Sequence, residues 1–511
     1  MTNDATTVQT TGGRLEGAAE DGIVVFRGVP YAAPPVGGLR WRATQPHPGW
    51  SGTRDATAHG PVCPQPEYVP WNWLMGRNGR STALMDEDCL TLTISTPAVD
   101  AGKRPVVVYI HGGGNIIGAG SWDAFSLESF ARRGDVVGVG VNYRFSSFGY
   151  LLADEDGVER GNWWLDDQLA ALRWVQENIA AFGGDPERVT VMGHSGGAAS
   201  IATIMGLPEA KGLFRRAVLM GLPLGHAPYD LGRARELGAR FFELLGVSSL
   251  EEARALPAAA LVAAEPQLTA EASGWHEWHP GFSNVLDGVT LHREPREALR
   301  TNDAASAFEL LIGWTREEYA MVAMPDVAIQ DVSRERVLER LRVSFGAHAE
   351  EAYAFYAAAR PGALPVNVLI DALSDERYRQ SCLDVLDVWN AGGRDPFAYQ
   401  LDWQTRVLGG LVGAPHCMDI AFGLNTLDAW SDGVMWEGTE PRTRQALADA
   451  MHAAWTAFIR EGDPNHAAIP PWPRYAGDRR TVMRFDLVSQ AVDGLVDSQR
   501  ELWRRLGGRQ S

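Results

Sequence analysis

The pentapeptide Gly-His-Ser-Gly-Gly at residues 193–197 constrains this chain more than any other feature of its sequence. It follows the β-branched run 189–191 and opens the small-residue stretch 198–204, so it stands where a strand should give way to a helix. A Gly-x-Ser-x-Gly in that position is typical of a nucleophile elbow, whose glycines permit a sharp, strained turn that lifts the serine hydroxyl above a sheet. Because the chain contains 55 glycines, the motif alone indicates little, and its surroundings decide its meaning.

The surroundings follow an α/β pattern. Apolar runs at 106–110, 136–141 and 189–192 are typical of buried parallel strands, and segment 165–181 has apolar residues at the spacing of a crossover helix. Further strands are predicted at 217–220, 310–312 and 397–401, and helices at 332–359 and 442–460. No linker or repeat divides the chain. We therefore expect one α/β domain over residues 1–511, with a mostly parallel sheet flanked and covered by helices.

Composition and charge narrow the range of partners. The chain has 46 Lys and Arg against 64 Asp and Glu, a net charge of -18, which is not the basic footprint that nucleic acids or anionic lipids require. The first residues lack a basic segment followed by an apolar one, and no apolar run is long enough to span a bilayer. We expect a cytoplasmic protein with a small-molecule partner, no nucleic-acid or membrane partner, and an oligomeric state that the sequence does not predict.

The four cysteines, at 63, 89, 382 and 417, are too few for a disulfide framework and show no Cys-x-x-Cys spacing. The expectation is free, buried thiols in a reducing compartment, with no metal site.

Acyl transfer by serine needs a base, a carboxylate that orients the base, and donors for the oxyanion. Residues 111–114, His-Gly-Gly-Gly, directly follow a predicted strand, and consecutive glycines can turn their N–H groups into a cavity. The alternative, a phosphate-binding loop, lacks the Gly-Lys-Ser/Thr or Gly-x-Gly-x-x-Gly pattern that it requires. This segment therefore supplies candidate oxyanion donors, completed by the N–H of Gly196.

Chain order narrows the choice of acid and base. In α/β-hydrolases the acid follows the serine and the histidine follows the acid. His416, on a loop after strand 397–401, meets this condition, with His452 and His466 as rivals. Glu317 and Glu318 stand just beyond a predicted strand end, and the sequence alone does not separate them. One of the two is expected to be structural and paired with an arginine.

Several ordered motifs resemble those of the type B carboxylesterases, the family that includes cholinesterases and bacterial para-nitrobenzyl esterases. They lie at residues 26–37, 87–90, 142–144, 174–186 and 472–473. The resemblance implies an α/β-hydrolase fold, with Ser195 as nucleophile, Glu318 as acid and His416 as base. It implies oxyanion donors at Gly113, Gly114 and Gly196, a structural role for Glu317, and no cofactor or metal.

The resemblance also raises questions about other residues. Cys63 and Cys89 match a pair that is disulfide-bonded in secreted members, which leaves a bridge open here. Tyr68, Trp71 and Trp73, in the loop between them, either line the entrance to the site or are ordinary packing. The same two alternatives hold for the Trp-rich segment 274–278.

Departures from the family pattern narrow the expected substrate. His194 replaces the usual Glu or Gln before the nucleophile, Asn115 stands where Phe is common, and Cys417 replaces Gly after the histidine. Trp314 and Cys417 resemble aryl-carbamate hydrolases of the phenmedipham hydrolase type. The expected activity is hydrolysis of esters and aryl carbamates through an acyl- or carbamoyl-enzyme. The alternatives are amidase or lactonase action on the same residues, or a non-catalytic binding module.

Overall fold

A large, mostly parallel β-sheet organises the molecule. The computed structural model describes residues 4–66, 72–74, 76, 84–225, 227–275, 278–301, 308–324 and 326–507. The strands of this part are β1 Thr7–Gln9, β2 Arg14–Glu16, β3 Ala18–Glu20, β4 Ile23–Pro30, β5 Thr53–Asp55, β6 Thr91–Thr96, β7 Arg104–Ile110, β8 Val137–Val141, β9 Ala153–Glu155, β10 Val158–Arg160, β11 Gly184–His194, β12 Arg216–Met220, β13 Glu309–Thr315, β14 Phe397–Leu401, β15 Thr481–Phe485 and β16 Gln490–Asp493.

Within the described ranges an 11-stranded sheet has the order β16-β15-β14-β13-β12-β11-β7-β8-β6-β4-β3. Neighbouring strands are parallel from β15 across to β8, and antiparallel at both edges. Two small sheets, β1-β2-β5 and β10-β9, lie apart from it. The predicted α/β architecture is confirmed.

Helices cover the sheet and fill the long connections between its strands. The α-helices are Glu128–Gly134, Ser146–Tyr150, Trp163–Asn178, Gly196–Met205, Leu231–Leu245, Leu250–Ala255, Ala258–Ala272, Pro295–Thr301, Ala320–Ala323, Val327–Gln330, Arg334–Phe345, Ala349–Ala359, Pro365–Ser374, Gln380–Ala391, Met418–Gly423, Pro441–Glu461 and Asp497–Leu506. None of the helices in the described chain combines the length and apolar character needed to cross a bilayer.

Glycines in the left-handed region set two helix boundaries that the periodicity alone missed. The predicted helix 165–181 is α-helical only over Trp163–Asn178, then tightens into a 3-10 turn that ends at Gly183, with φ 80°. The predicted helical stretch 332–359 divides into two helices at Gly346, with φ 54°. Both breaks occur where a side chain would oppose the required backbone angle.

The central strands are buried on both faces, which is why they appear as continuous apolar runs in the sequence. Along β7, Val106, Val108 and Ile110 belong to one apolar cluster, and Val107 and Tyr109 belong to another. Each of the five is at most 1% exposed. Alternate side chains along the strand therefore pack into two core layers, one on each side of the sheet.

The carboxyl ends of four parallel strands bring together the segments singled out by the sequence. The glycine tract at 112–114 follows β7, Ser195 follows β11, Glu318 follows β13, and His416 lies on the loop after β14. Ligands of parallel α/β sheets bind at this edge. The sheet therefore gathers residues that are remote in sequence at one end.

Candidate active site

Ser195 lies at a strained turn between β11 and helix Gly196–Met205. Its backbone has φ 54° and ψ −123°, and its N–H donates a 2.9 Å hydrogen bond to the carbonyl of Met220 on the neighbouring strand. A Cβ on Gly197 would lie 2.0 Å from the carbonyl oxygen of Ile110, so only glycine fits beside the end of β7. A non-glycine residue at positive φ is uncommon and costs energy that the surrounding structure must supply. The turn is therefore held by its neighbours with Ser195 at its apex.

Glu318 and His416 form a buried pair. The Nδ1 atom of His416 is hydrogen-bonded to Oε2 of Glu318, and Oε1 of Glu318 accepts a 2.7 Å hydrogen bond from the N–H of Thr315. The two residues are 0% and 2% exposed. A carboxylate at Nδ1 fixes the imidazole tautomer and leaves the lone pair on Nε2. Among the described residues, Nε2 of His416 has no hydrogen-bond partner, so this nitrogen is available to take up a proton.

Glu317 is directed away from His416 and serves as a structural link. Its Oε1 accepts a 2.6 Å hydrogen bond from Arg360, and its Oε2 accepts a 2.8 Å bond from the N–H of Ala414. Its own N–H donates to the carbonyl of Ala414 at 3.0 Å. The geometry thus separates the two glutamates: Glu318 contacts the imidazole, while Glu317 joins its own loop to the loop that carries His416.

The N–H groups of Gly113, Gly114 and Gly196 belong to two turns that meet at Ser195, since a Cβ on Gly112 would lie 3.0 Å from the Cβ of Ser195. Gly113 and Gly114 have φ 120° and 62°, and the nitrogen of Gly114 is 3.8 Å from the position that a Cβ on Gly196 would occupy. In the described part of the chain, none of the three N–H groups has a backbone acceptor. A Cβ on Gly113 would lie 1.9 Å from the carbonyl oxygen of Ile117, so close packing requires glycine there. Unpaired N–H groups at the apex of an elbow are suited to stabilising a developing oxyanion.

A contact from the N-terminal region fixes the glycine turn. Gln65 accepts a 2.9 Å hydrogen bond from the N–H of Gly118 and donates a 3.0 Å bond to the Gly118 carbonyl. A Cβ on Gly118 would lie 2.3 Å from Nδ1 of His111, which is buried and stacks on Tyr143 at a centroid distance of 4.4 Å. Gln65 and His111 therefore both contact Gly118, shortly after the glycine tract.

Ser195 opens into a cavity of about 910 Å³, a volume that includes its solvent-open mouth. Its walls combine the aromatic rings of Trp278, Tyr319 and Tyr378 with the amides of Asn115 and Asn284. Tyr378 also contacts the ring of His416 at a centroid distance of 4.6 Å, which connects the cavity wall to the Glu318–His416 pair. Two charged residues, Glu294 and Arg377, also line it. A pocket that combines aromatic walls with a few polar groups is typical of a small-molecule site.

The tryptophans for which the sequence left two alternatives, lining the site or packing, differ in position. Trp278 lines it, whereas Trp275 and Trp73 are partly buried packing residues outside its walls. Tyr68 and Trp71, as well as His276 and Glu277 of the Trp-rich segment, lie outside the described residues.

The rival histidines have other contacts. Nδ1 of His452 is 3.0 Å from the carbonyl oxygen of Gly423, and Nε2 of His466 is 3.0 Å from that of Ala450. None of the three histidines is among the residues that line the cavity, but the ring of His416 contacts Tyr378, which does line it. This contact and the hydrogen bond to Glu318 distinguish His416 from its rivals.

A second buried imidazole and a second carboxylate lie behind His416. The ring of His194 is 4.2 Å from the ring of His416, and its Nε2 is 3.6 Å from Oδ1 of Asp419. Tyr399 donates a 2.7 Å hydrogen bond to Oδ2 of the same carboxyl. Burial, with a contribution from the nearby Glu318 carboxylate, raises the pKa of Asp419 to about 7, and burial lowers the pKa of His194 well below its usual range.

Sequence reasoning missed Asp419. Its only signal was a carboxylate three residues after His416, in the first turn of helix Met418–Gly423, and an acidic residue in a first turn is common.

Cys417 lies beside the two imidazoles. Its Sγ is 3.9 Å from Nδ1 of His194, and one donor atom each from His194, His416 and Cys417 lie within 4.8 Å of one another. Imidazole and thiolate are zinc-binding donors, so these three residues could hold such an ion. Cys417 has φ 75°, in the region that favours glycine. All four cysteines are free and buried, and this includes Cys63 and Cys89.

Comparison with known proteins agrees with the architecture and the motifs. The carboxylesterase family matches residues 4–503. The chain is 40% identical over 474 residues to phenmedipham hydrolase of Pseudarthrobacter oxydans, covering 93% of this chain and 94% of that protein. It is 32% identical to para-nitrobenzyl esterase of Bacillus subtilis (strain 168), covering 95% of each.

A solved carboxylesterase of Geobacillus stearothermophilus has a TM-score of 0.85 to this structure at 35% identity, covering 98% of this chain and 100% of that one. A solved para-nitrobenzyl esterase gives a TM-score of 0.84 at 31% identity, covering 97% and 99%. Family, relatives and solved structures all span nearly the whole chain, and the chain therefore belongs to the carboxylesterase family.

Proposed function

We propose that this protein hydrolyses carboxylic esters and aryl carbamates through a covalent intermediate on Ser195. One observation carries the proposal. The buried imidazole of His416 is oriented by Glu318 and, within the described chain, has an unpartnered Nε2. It lies at the same carboxyl edge of the sheet as Ser195, which opens into a cavity with aromatic walls. That combination of nucleophile, base and orienting carboxylate is the general requirement for acyl transfer by serine.

The proposed reaction has two halves. As Oγ of Ser195 attacks the carbonyl carbon, Nε2 of His416 takes the hydroxyl proton and the carbonyl π electrons move onto oxygen. When the tetrahedral intermediate collapses, the same nitrogen returns the proton to the departing alcohol or phenol. Water then attacks the acyl- or carbamoyl-enzyme with His416 as base, which releases the acid and regenerates Ser195. Glu318, hydrogen-bonded to Nδ1 of His416, stabilises the imidazolium in both halves.

The N–H groups of Gly113, Gly114 and Gly196 are proposed to bind the oxyanion. Two observations support this role: the N–H groups have no backbone acceptor among the described residues, and close packing fixes the turn that carries them. One such donor contributes about 3 kcal/mol of transition-state stabilisation in serine hydrolases.

The carbamate part of the proposal rests on the resemblance to phenmedipham hydrolase, at 40% identity, and on the cavity. Aromatic walls formed by Trp278, Tyr319 and Tyr378 suit an aryl group on either side of the scissile carbonyl. Every proposed step is a proton transfer or an acyl transfer among these side chains, water and substrate, so we propose an enzyme that needs no cofactor.

We further propose that residues 1–511 form one domain that works in the cytoplasm. Strands from β3, near the start of the chain, to β16, near its end, contribute to the same sheet, which supports a single domain. Free thiols at Cys63 and Cys89 support a reducing compartment.

The test compares the wild type with Ser195→Ala and with a matched control, Ser283→Ala, which removes a hydroxyl elsewhere in the same cavity. We expect Ser195→Ala to abolish hydrolysis of 4-nitrophenyl esters and carbamates while Ser283→Ala retains it. Mass spectrometry after a slowly released carbamate should locate the carbamoyl group on the peptide that contains Ser195. An active Ser195→Ala enzyme, or a label on another peptide, would refute the proposal. Faster cleavage of anilides than of matched esters would point to an amidase.

A further inference from the structure

We propose that Asn115 is a specificity residue whose side-chain oxygen accepts a hydrogen bond from the N–H of a carbamate, so that the site favours N-monosubstituted carbamates over esters. The inference rests on the proposed function and names the substrate class of the same site.

The first argument is placement. Asn115 lines the cavity together with Ser195 and Gly196, and its Oδ1 is 3.1 Å from the position that a Cβ on Gly196 would occupy. The amide oxygen therefore lies next to one of the proposed oxyanion donors. A substrate carbonyl bound there would bring the atom attached to its carbon close to Asn115.

The second argument is that the amide has no other task. In the described chain, the side chain of Asn115 makes no hydrogen bond, although the residue is partly buried. Its backbone is fixed: φ is 63°, and its carbonyl accepts a 2.8 Å hydrogen bond from the N–H of Ser146. A fixed, unpaired amide in a reaction cavity loses water contacts when substrate enters, and a donor on the substrate would replace them.

The third argument is the chemistry that separates the two substrates. A carbamate of the form R–NH–CO–O–R′ has an N–H donor on the atom bonded to the carbonyl carbon, whereas the matching ester has a methylene group there. A site that hydrogen-bonds an N–H discriminates strongly against an analogue without it.

The decisive experiment uses three substrates with the same leaving group: 4-nitrophenyl N-methylcarbamate, its methylene analogue 4-nitrophenyl propanoate, and 4-nitrophenyl N,N-dimethylcarbamate, which has no N–H. Rates are corrected for uncatalysed release. The variant Asn115→Gly removes the amide and accepts the positive φ, so it avoids the strain that a bulkier side chain would add. Asn284→Ala removes another amide that lines the cavity.

In Asn115→Gly we expect kcat/KM for the N-methylcarbamate to fall about tenfold or more relative to the propanoate. The ratio of the dimethylcarbamate to the propanoate should stay within about twofold, and Asn284→Ala should leave both ratios unchanged. Equal losses on all three substrates, or an unchanged ratio, would overturn the inference. The propanoate reports esterase activity by itself, so the two failures give different results. If only this inference fails, all three substrates are still hydrolysed at Ser195. If the proposed function fails, the wild type hydrolyses none of them, or hydrolyses them without Ser195.

Discussion

Replacing Asp419 by Asn should stabilise the protein, and the gain should grow with pH. The carboxyl is fully buried, and its pKa is raised from an ordinary value of 3.8 to about 7. Between these two values the folded protein holds a proton that the unfolded chain has released, so the free energy of unfolding falls as pH rises. At about 1.36 kcal/mol per pH unit, the raised pKa lowers the free energy of unfolding by about 4 kcal/mol by pH 7 to 8. Asn, which does not titrate, avoids this loss and can still accept the hydrogen bond from Tyr399.

The assay is the apparent melting temperature of wild type and Asp419→Asn at pH 5, 6, 7 and 8, with the scan rate fixed because a chain of this size is prone to irreversible unfolding. The melting temperature of the variant minus that of wild type should increase steadily over this range. Glu265→Gln is the matched control. Glu265 is another fully buried carboxyl whose pKa burial raises to about 7, and it accepts a hydrogen bond from the N–H of Ser147.

Both variants should therefore show the same trend in stability, but only Asp419 lies next to His194, whose ring contacts that of His416. In wild type, ionisation of Asp419 above about pH 7 adds a negative charge that favours the imidazolium formed during reaction, so kcat/KM should increase with pH in this range. We expect Asp419→Asn, but not Glu265→Gln, to lose this increase. A difference in melting temperature that is constant with pH, or that shrinks as pH rises, would refute the reasoning.

Three further outcomes are expected. Glu318→Gln should lower kcat by about 10³ to 10⁴, because the amide leaves the imidazole without its orienting charge, and a loss below tenfold in steady-state assays would contradict this. Gly114→Ala should lower kcat by about 10² or more, since its Cβ would lie 2.5 Å from the ring of Trp278 and displace a proposed oxyanion donor. The pre-steady-state release of nitrophenol gives the acylation rate. Activity should survive EDTA but fall with micromolar Zn²⁺, which would bind His416, the proposed base. Cys417→Gly should weaken this inhibition because it removes one donor, and equal sensitivity of variant and wild type would count against the three-residue site.

Local sequence patterns predicted the strands well where both faces are buried and the ends are marked. Strand β14 has the predicted bounds, because an apolar run lies between Pro396 and Asp402. Strand β13 extends to Thr315, beyond its predicted end at residue 312, because residues 313–315 pair with β14 and are buried in the sheet. Periodicity detects side-chain character, whereas strand length depends on the neighbouring strands.

The candidate site was less predictable because its geometry depends on long-range contacts. Glu317 and Glu318 are adjacent, and what separates them is Arg360, which pairs with Glu317 from another part of the fold. The raised pKa of Asp419 depends on burial and on Glu318, and neither is a property of the local sequence. Trp278 reaches the cavity by tertiary packing, so no spacing rule distinguishes it from Trp275.

The order of the sheet has a consequence for synthesis of the protein. The glycine tract follows β7 and Ser195 follows β11, and both leave the ribosome early, whereas His416 follows β14, roughly two hundred residues later. At about 5–20 residues per second, the nascent chain holds its serine for on the order of 10–40 s before its base has been made. An unfinished chain, or one truncated before β14, would therefore carry the elbow without the means to activate it. The order of synthesis therefore delays activation of Ser195 until most of the strands of the sheet have been made.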